Sequence, residues 1–150
     1  MKWKIIKSDY NKETGISYVQ ISTKYGVFEG ISKLHPDDKD IASEFEGCRY
    51  AEIRAVLKFL QHSNLILSTK INVLQNLLNN FQQRKHYNPQ LKENIYLQNE
   101  IQLYIKQKDT NKEIMMQLKD MLHNAIGSYR MDREKFLESL NKKKEQARAN

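Results

Sequence analysis

From Cys48 to Tyr87 the chain has neither glycine nor proline, and this uninterrupted run constrains the fold more than any other feature. Ile53, Leu57, Leu60, Ile71, Leu74, Leu78 and Phe81 recur within it at spacings of three, four and seven, with one irregular gap near Ser63 and Asn64. That periodicity gathers the apolar side chains on one stripe of an α-helix. At 1.5 Å per residue such a helix reaches roughly 50 Å, more than a small globule can cover. The chain turns at His86 to Pro89, where Asn88 suits an N-cap and Pro89 the first helical position. A second long helix follows, carrying Leu91, Ile95, Ile101, Tyr104, Ile105, Leu118, Met121, Leu122, Ile126, Tyr129, Phe136 and Leu140. Asp109 to Glu113 offers a place to break or cap it, Gly127 a place to kink it, and residues 141–150 have no apolar stripe and are expected to fray. The two helices are expected to pack antiparallel as an αα-hairpin, with apolar faces broad enough to recruit a second copy.

Ahead of the helices, residues 3–33 read as strands. Trp3–Tyr10 and Ile16–Thr23 are β-branched and aromatic runs separated by Asn11–Gly15, whose Asn and Gly suit a hairpin loop, and Tyr25-Gly26 turns the chain into Val27–Lys33. A bulge is expected at Gly30. Val19 and Ile21 share one face of the middle strand and Ile16 and Tyr18 the other, so one face is expected to meet a helix or another subunit. Pro36 fits the first turn of a short helix over 35–47, with Asp37, Asp38 and Asp40 at the positive end of its dipole and Gly47 as an αL C-cap. The expected fold class is α+β: an N-terminal three-stranded antiparallel meander over 1–34, a short helix over 35–47, and a long antiparallel two-helix hairpin over 48–146. Its 150 residues are expected to form a single domain.

A hydrophobic share of 39% against 29% charged residues fits long, partly exposed helices better than a compact α/β enzyme. The +7 net charge is unevenly placed. Residues 1–50 hold 8 Lys/Arg and 8 Asp/Glu, whereas residues 51–150 hold 17 and 10, so the helical part would attract a polyanion or a phosphate-bearing small molecule. The single cysteine makes no internal disulfide, no charged start leads into an apolar signal segment, and no stretch has the roughly 18 to 20 apolar residues of a membrane span. A soluble cytoplasmic protein is expected.

His35, Asp37, Asp38 and Asp40 lie together like hard-cation ligands, but adjacent Asp side chains diverge and helix capping accounts for each. Cys48 beside Arg49 invites a thiolate reading, yet His62, His86 and His123 have no motif around them that would supply a base. There is no GxSxG, Walker A, GxGxxG, CxxC or HExxH pattern. No catalytic residue, metal ligand or cofactor is assigned, and no enzymatic activity is expected.

Ligand binding has better support. Tyr50, Arg54 and Lys58 follow at i, i+4 and i+8, which sets an aromatic plane, a guanidinium fork and an ammonium along one helix face. An Arg can grip phosphate bidentately while a neighbouring ring stacks on a base. At the far end of the same helix, Phe81 and Tyr87 suit stacking, Arg84, Lys85 and His86 suit phosphate, and Asn88 suits a base or ribose edge. A second candidate is the strand segment from Lys24 to His35, where Gly26 and Gly30 allow close backbone approach and Lys24 and Lys33 add charge.

With TKYGVFEGISKLHPDDKD closing the meander, ASEFEGCRYAEIRA opening a long helix and an Asn-Pro turn before the next, the chain resembles the small phage proteins of the first Thoeris anti-defence family. The resemblance implies a sponge: a homo-oligomer, dimer or hexamer, in the host cytoplasm that binds a cyclic nucleotide immune signal of the glycocyclic ADP-ribose type and holds it uncleaved. It further implies that cyclic di- or trinucleotides are taken at a separate, assembly-generated site. By that resemblance Arg54 would meet phosphate, Phe81 would stack on adenine and Asn88 would meet polar edges. Phe28, Gly30 and Lys33 would serve the second site. A basic nucleic-acid-binding or replication accessory protein is the alternative that the charge supports, and a coiled-coil adaptor is a third.

Overall fold

The computed structural model describes residues 2–33, 44–84, 88 and 91–149. Toward the C-terminus it describes side chains as far as Asn124, then those of Glu138, Lys142 and residues 145–149. The elements run β1 (Lys4–Asn11), β2 (Ile16–Thr23), β3 (Gly26–Lys33), α1 (Glu44–Gln82) and α2 (Lys92–Ala149). The strands form one antiparallel sheet in the order β1-β2-β3. The α+β meander followed by a helical hairpin is therefore the fold. Two compact units emerge, one of Met1–Val56 with Gln117–Asn150, the other of Leu57–Met116.

Turn chemistry sets the meander. The Asn11 Oδ1 accepts the Glu13 and Thr14 amides at 2.9 and 3.2 Å, an Asx turn that closes the first hairpin loop. Lys24 and Tyr25 make the second loop, across which the Thr23 hydroxyl donates to the Gly26 carbonyl at 2.9 Å. The β2–β3 register is unbroken from Ile16↔Lys33 to Thr23↔Gly26, so the bulge expected at Gly30 is absent. The register shifts instead in β1, between Ile5 and Lys7. Gly30 has another reason to be glycine: a Cβ there would overlap the Ala51 carbonyl oxygen of α1 and come within 2.6 Å of the Ala55 nitrogen.

One sheet face thus lies directly on the helix backbone. Ser17, Val19 and Ile21 of β2 are fully buried, and Ala51 and Ala55 of α1 are equally so. Small residues at 47, 51 and 55 recur every four positions, a flat helical stripe that lets strand and helix approach more closely than larger side chains would permit. Of the two faces of β2, the one bearing Val19 and Ile21 is thus the one that meets a helix.

Gly47 does not end a helix. It lies in the opening turns of α1, has no positive φ, and packs against the Ser17 side chain. Glycine is retained there for space rather than for a left-handed cap. Residues 35–43 of the expected short helix, with Pro36 and the three aspartates, lie outside the described residues. Two other expectations are corrected in α2, which runs unbroken past Asp109 and stays helical to Ala149 rather than fraying from residue 141.

Ser17 Oγ is buried and, among the described residues, has no hydrogen-bond partner. Removing a lone buried hydroxyl relieves desolvation and loses no bond, so Ser17→Ala should be neutral or stabilising by about 1 kcal/mol. Urea unfolding at constant m-value measures this. A clear loss of stability would mean that the hydroxyl has a partner after all.

In the unit Leu57–Met116 the two helices run antiparallel. Leu78 of α1 clusters with Leu97 and Ile101 of α2, with Ile71, Leu74 and Phe81 packed around them. The Lys70 ammonium lies 5.4 Å from the Tyr104 ring centroid. No described helix is long and apolar enough to cross a membrane.

Candidate ligand-binding site

The end of α1 is built for a turn. Past Gln82, the Gln83 and Arg84 amides donate back to the Asn79 and Phe81 carbonyls at 3.2 and 3.1 Å, which satisfies acceptors that a helix end leaves open. The Arg84 guanidinium folds over the Phe81 ring, 4.6 Å from its centroid. A cation just beyond a helix C-terminus also meets the negative end of the dipole.

The return into α2 differs from the expected N-cap. The Asn88 carbonyl accepts the Leu91 amide at 3.1 Å and the Asn94 Nδ2 at 2.7 Å, and the Leu91 carbonyl takes the first helical bond, from Ile95 at 3.0 Å. The helix therefore starts at Lys92, three residues later than an Asn88–Pro89 start requires. Buried Asn94 fastens the loop to the helix, a role that a lone Asn in a polar stretch did not reveal. Tyr87, Lys85, His86 and Pro89 lie outside the described residues.

Between the two helix ends an open pocket of about 420 Å³ is lined by Leu77, Phe81, Lys92, Glu93, Tyr96 and Leu97. Its walls are apolar and aromatic, with the Tyr96 ring 61% exposed. Lys92 brings a positive charge, and Glu93 an acceptor for amines or hydroxyls. Flat rings beside a cation can take a planar heterocycle with an attached phosphate. Phe81 was legible in the sequence. Lys92, Glu93 and Tyr96 were not, because only the antiparallel fold brings residues 92–97 against residues 77–81.

Tyr50, Arg54, Phe28, Gly30 and Lys33 belong to the unit containing the sheet. Arg54 Nη1 donates to the Ile31 carbonyl of edge strand β3 at 2.7 Å, so its fork already serves the fold. Tyr50 is half-buried. Burial, reinforced by Glu46 and opposed by Arg49, pushes its phenol above the ordinary value of 10.0, so it is a neutral donor at physiological pH. Lys58 falls in the other unit. Phe28 and Gly30 share the α1-facing side of β3 and Lys33 alternates to the opposite side. The α-carbon of Gly30 lies against the Ala51–Ala55 backbone of α1.

Among the described residues no group of three or more His, Cys, Asp or Glu is placed to hold a metal ion. The cluster at His35, Asp37, Asp38 and Asp40 lies outside them. No protein-family model, curated protein or solved structure matches the chain.

Proposed function

We propose that the chain binds a cyclic nucleotide signal of the glycocyclic ADP-ribose type in the Phe81–Tyr96 pocket and holds it without cleaving it. In this reading it is a phage anti-defence sponge of the Thoeris kind, acting in the host cytoplasm. The observation that carries it is one open pocket walled by Phe81 and Tyr96, with Lys92 and Glu93 among its lining residues and the Arg84 guanidinium on the Phe81 ring. A sponge needs affinity and no turnover, and these groups supply stacking, phosphate neutralisation and acceptors. Self-association into a dimer or hexamer would deepen so open a pocket. The exposed Leu65, Val73, Leu103 and Met116 of the helical unit provide apolar surface for it.

Purified protein is warmed with glycocyclic ADP-ribose, with cyclic di- and trinucleotides, and with single-stranded DNA. Glycocyclic ADP-ribose at one hundred times its Kd should add about 2.7 kcal/mol and raise the unfolding temperature accordingly. Heat-denatured complex should release the ligand intact. Degraded ligand would indicate an enzyme. Binding to DNA alone, falling steeply as salt is raised, would indicate the nucleic-acid protein instead.

A further inference from the structure

Along α1, residues 60, 64, 67, 71, 74, 78 and 81 alternate steps of four and three, and along α2 residues 94, 97, 101, 104, 108, 111 and 115 do the same. Each of these positions is buried or half-buried. This is a heptad seam of the kind that two packed helices share. On α1 every seam position is apolar except Asn64, which explains the irregular gap in the sequence periodicity. Asn64 and its neighbour Ser63 are 8% and 6% exposed, between fully buried Leu60 and nearly buried Leu67. Across the seam Asn111 donates from Nδ2 to both Asn64 Oδ1 at 2.9 Å and Ser63 Oγ at 3.3 Å. The Asn64 Nδ2 in turn donates to the Lys108 carbonyl at 3.3 Å. Asn64 and Asn111 therefore meet across the seam.

A heptad seam does not choose its own register. Sliding one helix past the other by a whole heptad keeps the two seams face to face. The Ser63–Asn64–Asn111 layer opposes a slip, because displacing one helix along the other separates Asn64 from Asn111 and breaks the hydrogen bonds between them. We infer that Ser63, Asn64 and Asn111 form a register lock, which selects one alignment of α1 on α2 at some expense of stability. The same alignment brings residues 92–97 against residues 77–81. The inference rests on the seam alone and stands whether or not the pocket binds a nucleotide.

The test uses the full chain with Cys48→Ala and spin labels at the exposed positions Asn72→Cys and Gln102→Cys, diluted into an excess of unlabelled protein so that only distances within one chain are read. The parent should give one narrow distance. The triple variant Ser63→Ala, Asn64→Leu, Asn111→Leu should fold with an unfolding temperature no lower than the parent's. It should show additional distance populations, displaced by an axial slip of about 5–10 Å, one turn to one heptad. A triple variant that keeps the single parental distance overturns the inference, because the register is then set elsewhere. One that fails to fold overturns it equally, because the layer is then a stability element.

Discussion

Gly30→Ala should destabilise the fold by about 3 kcal/mol or more, the upper end of overpacking costs. The added methyl would overlap the Ala51 carbonyl oxygen, with the Ala55 nitrogen 2.6 Å away. Both are backbone atoms of a helix, so no rotamer change can clear them. Relief requires α1 to lift from β3, and that opens space around Val19 and Ile21, which are now fully buried. Gly26→Ala is the matched control. Its Cβ would meet nothing within 4 Å, but its φ of 113° is a conformation that side chains rarely adopt, which costs of order 1–3 kcal/mol. Ala51→Gly should not rescue Gly30→Ala, because the obstructing oxygen remains. Urea unfolding followed by circular dichroism measures all three. A Gly30→Ala variant as stable as the parent would mean that sheet and helix do not approach so closely.

How much of this could be read from the chain depended on the range of the interactions. The strands and their loops were legible because local chemistry sets them, as where Asn11 caps its own loop; which face is covered was not, because Ile16 and Tyr18 make the opposite face apolar too. The two helices were legible from periodicity. Their interruptions were over-read, since an interior glycine costs only about 1 kcal/mol relative to alanine, and a long packed helix tolerates that. Gly47 is such a residue. The Asp109–Glu113 segment looked like a cap because Asp, Thr and Asn favour caps. In the folded chain the Thr110 hydroxyl bonds the Lys106 carbonyl within the helix and Asn111 turns into the seam. The candidate site was only half legible. Phe81 and Arg84 are neighbours in sequence, whereas Tyr96, Lys92 and Glu93 join them through a register that no short stretch encodes. Arg54 looked like a free phosphate-binding fork because its partner is a strand carbonyl 23 residues away.

Phe81→Ala and Tyr96→Ala should each weaken glycocyclic ADP-ribose binding by about 5- to 150-fold, the equivalent of roughly 1–3 kcal/mol for one aromatic stacking partner. The two differ in what else they disturb. Phe81 is half-buried against the Leu78–Leu97–Ile101 cluster, so its truncation also removes packing and should cost about 2 kcal/mol of stability. Tyr96 is 61% exposed, and its loss should change stability by about 0.5 kcal/mol or less. Tyr96→Ala is therefore the cleaner probe: reduced affinity at unchanged stability locates the ligand in the pocket, and parental affinity places the ligand elsewhere. Arg84 sets two effects against each other. Its guanidinium covers a face of Phe81 that a base could use, so Arg84→Gln uncovers the ring, yet it also removes a cation that could meet phosphate. An exposed cation–π contact is worth about 0.5–1 kcal/mol, and a hydrogen bond to a charged group about 1.5–3 kcal/mol. The phosphate contact should win, so Arg84→Gln should bind more weakly and show a shallower dependence on salt. Tighter binding by Arg84→Gln would show instead that Arg84 shields the ring and that Lys92 is the cation facing the ligand.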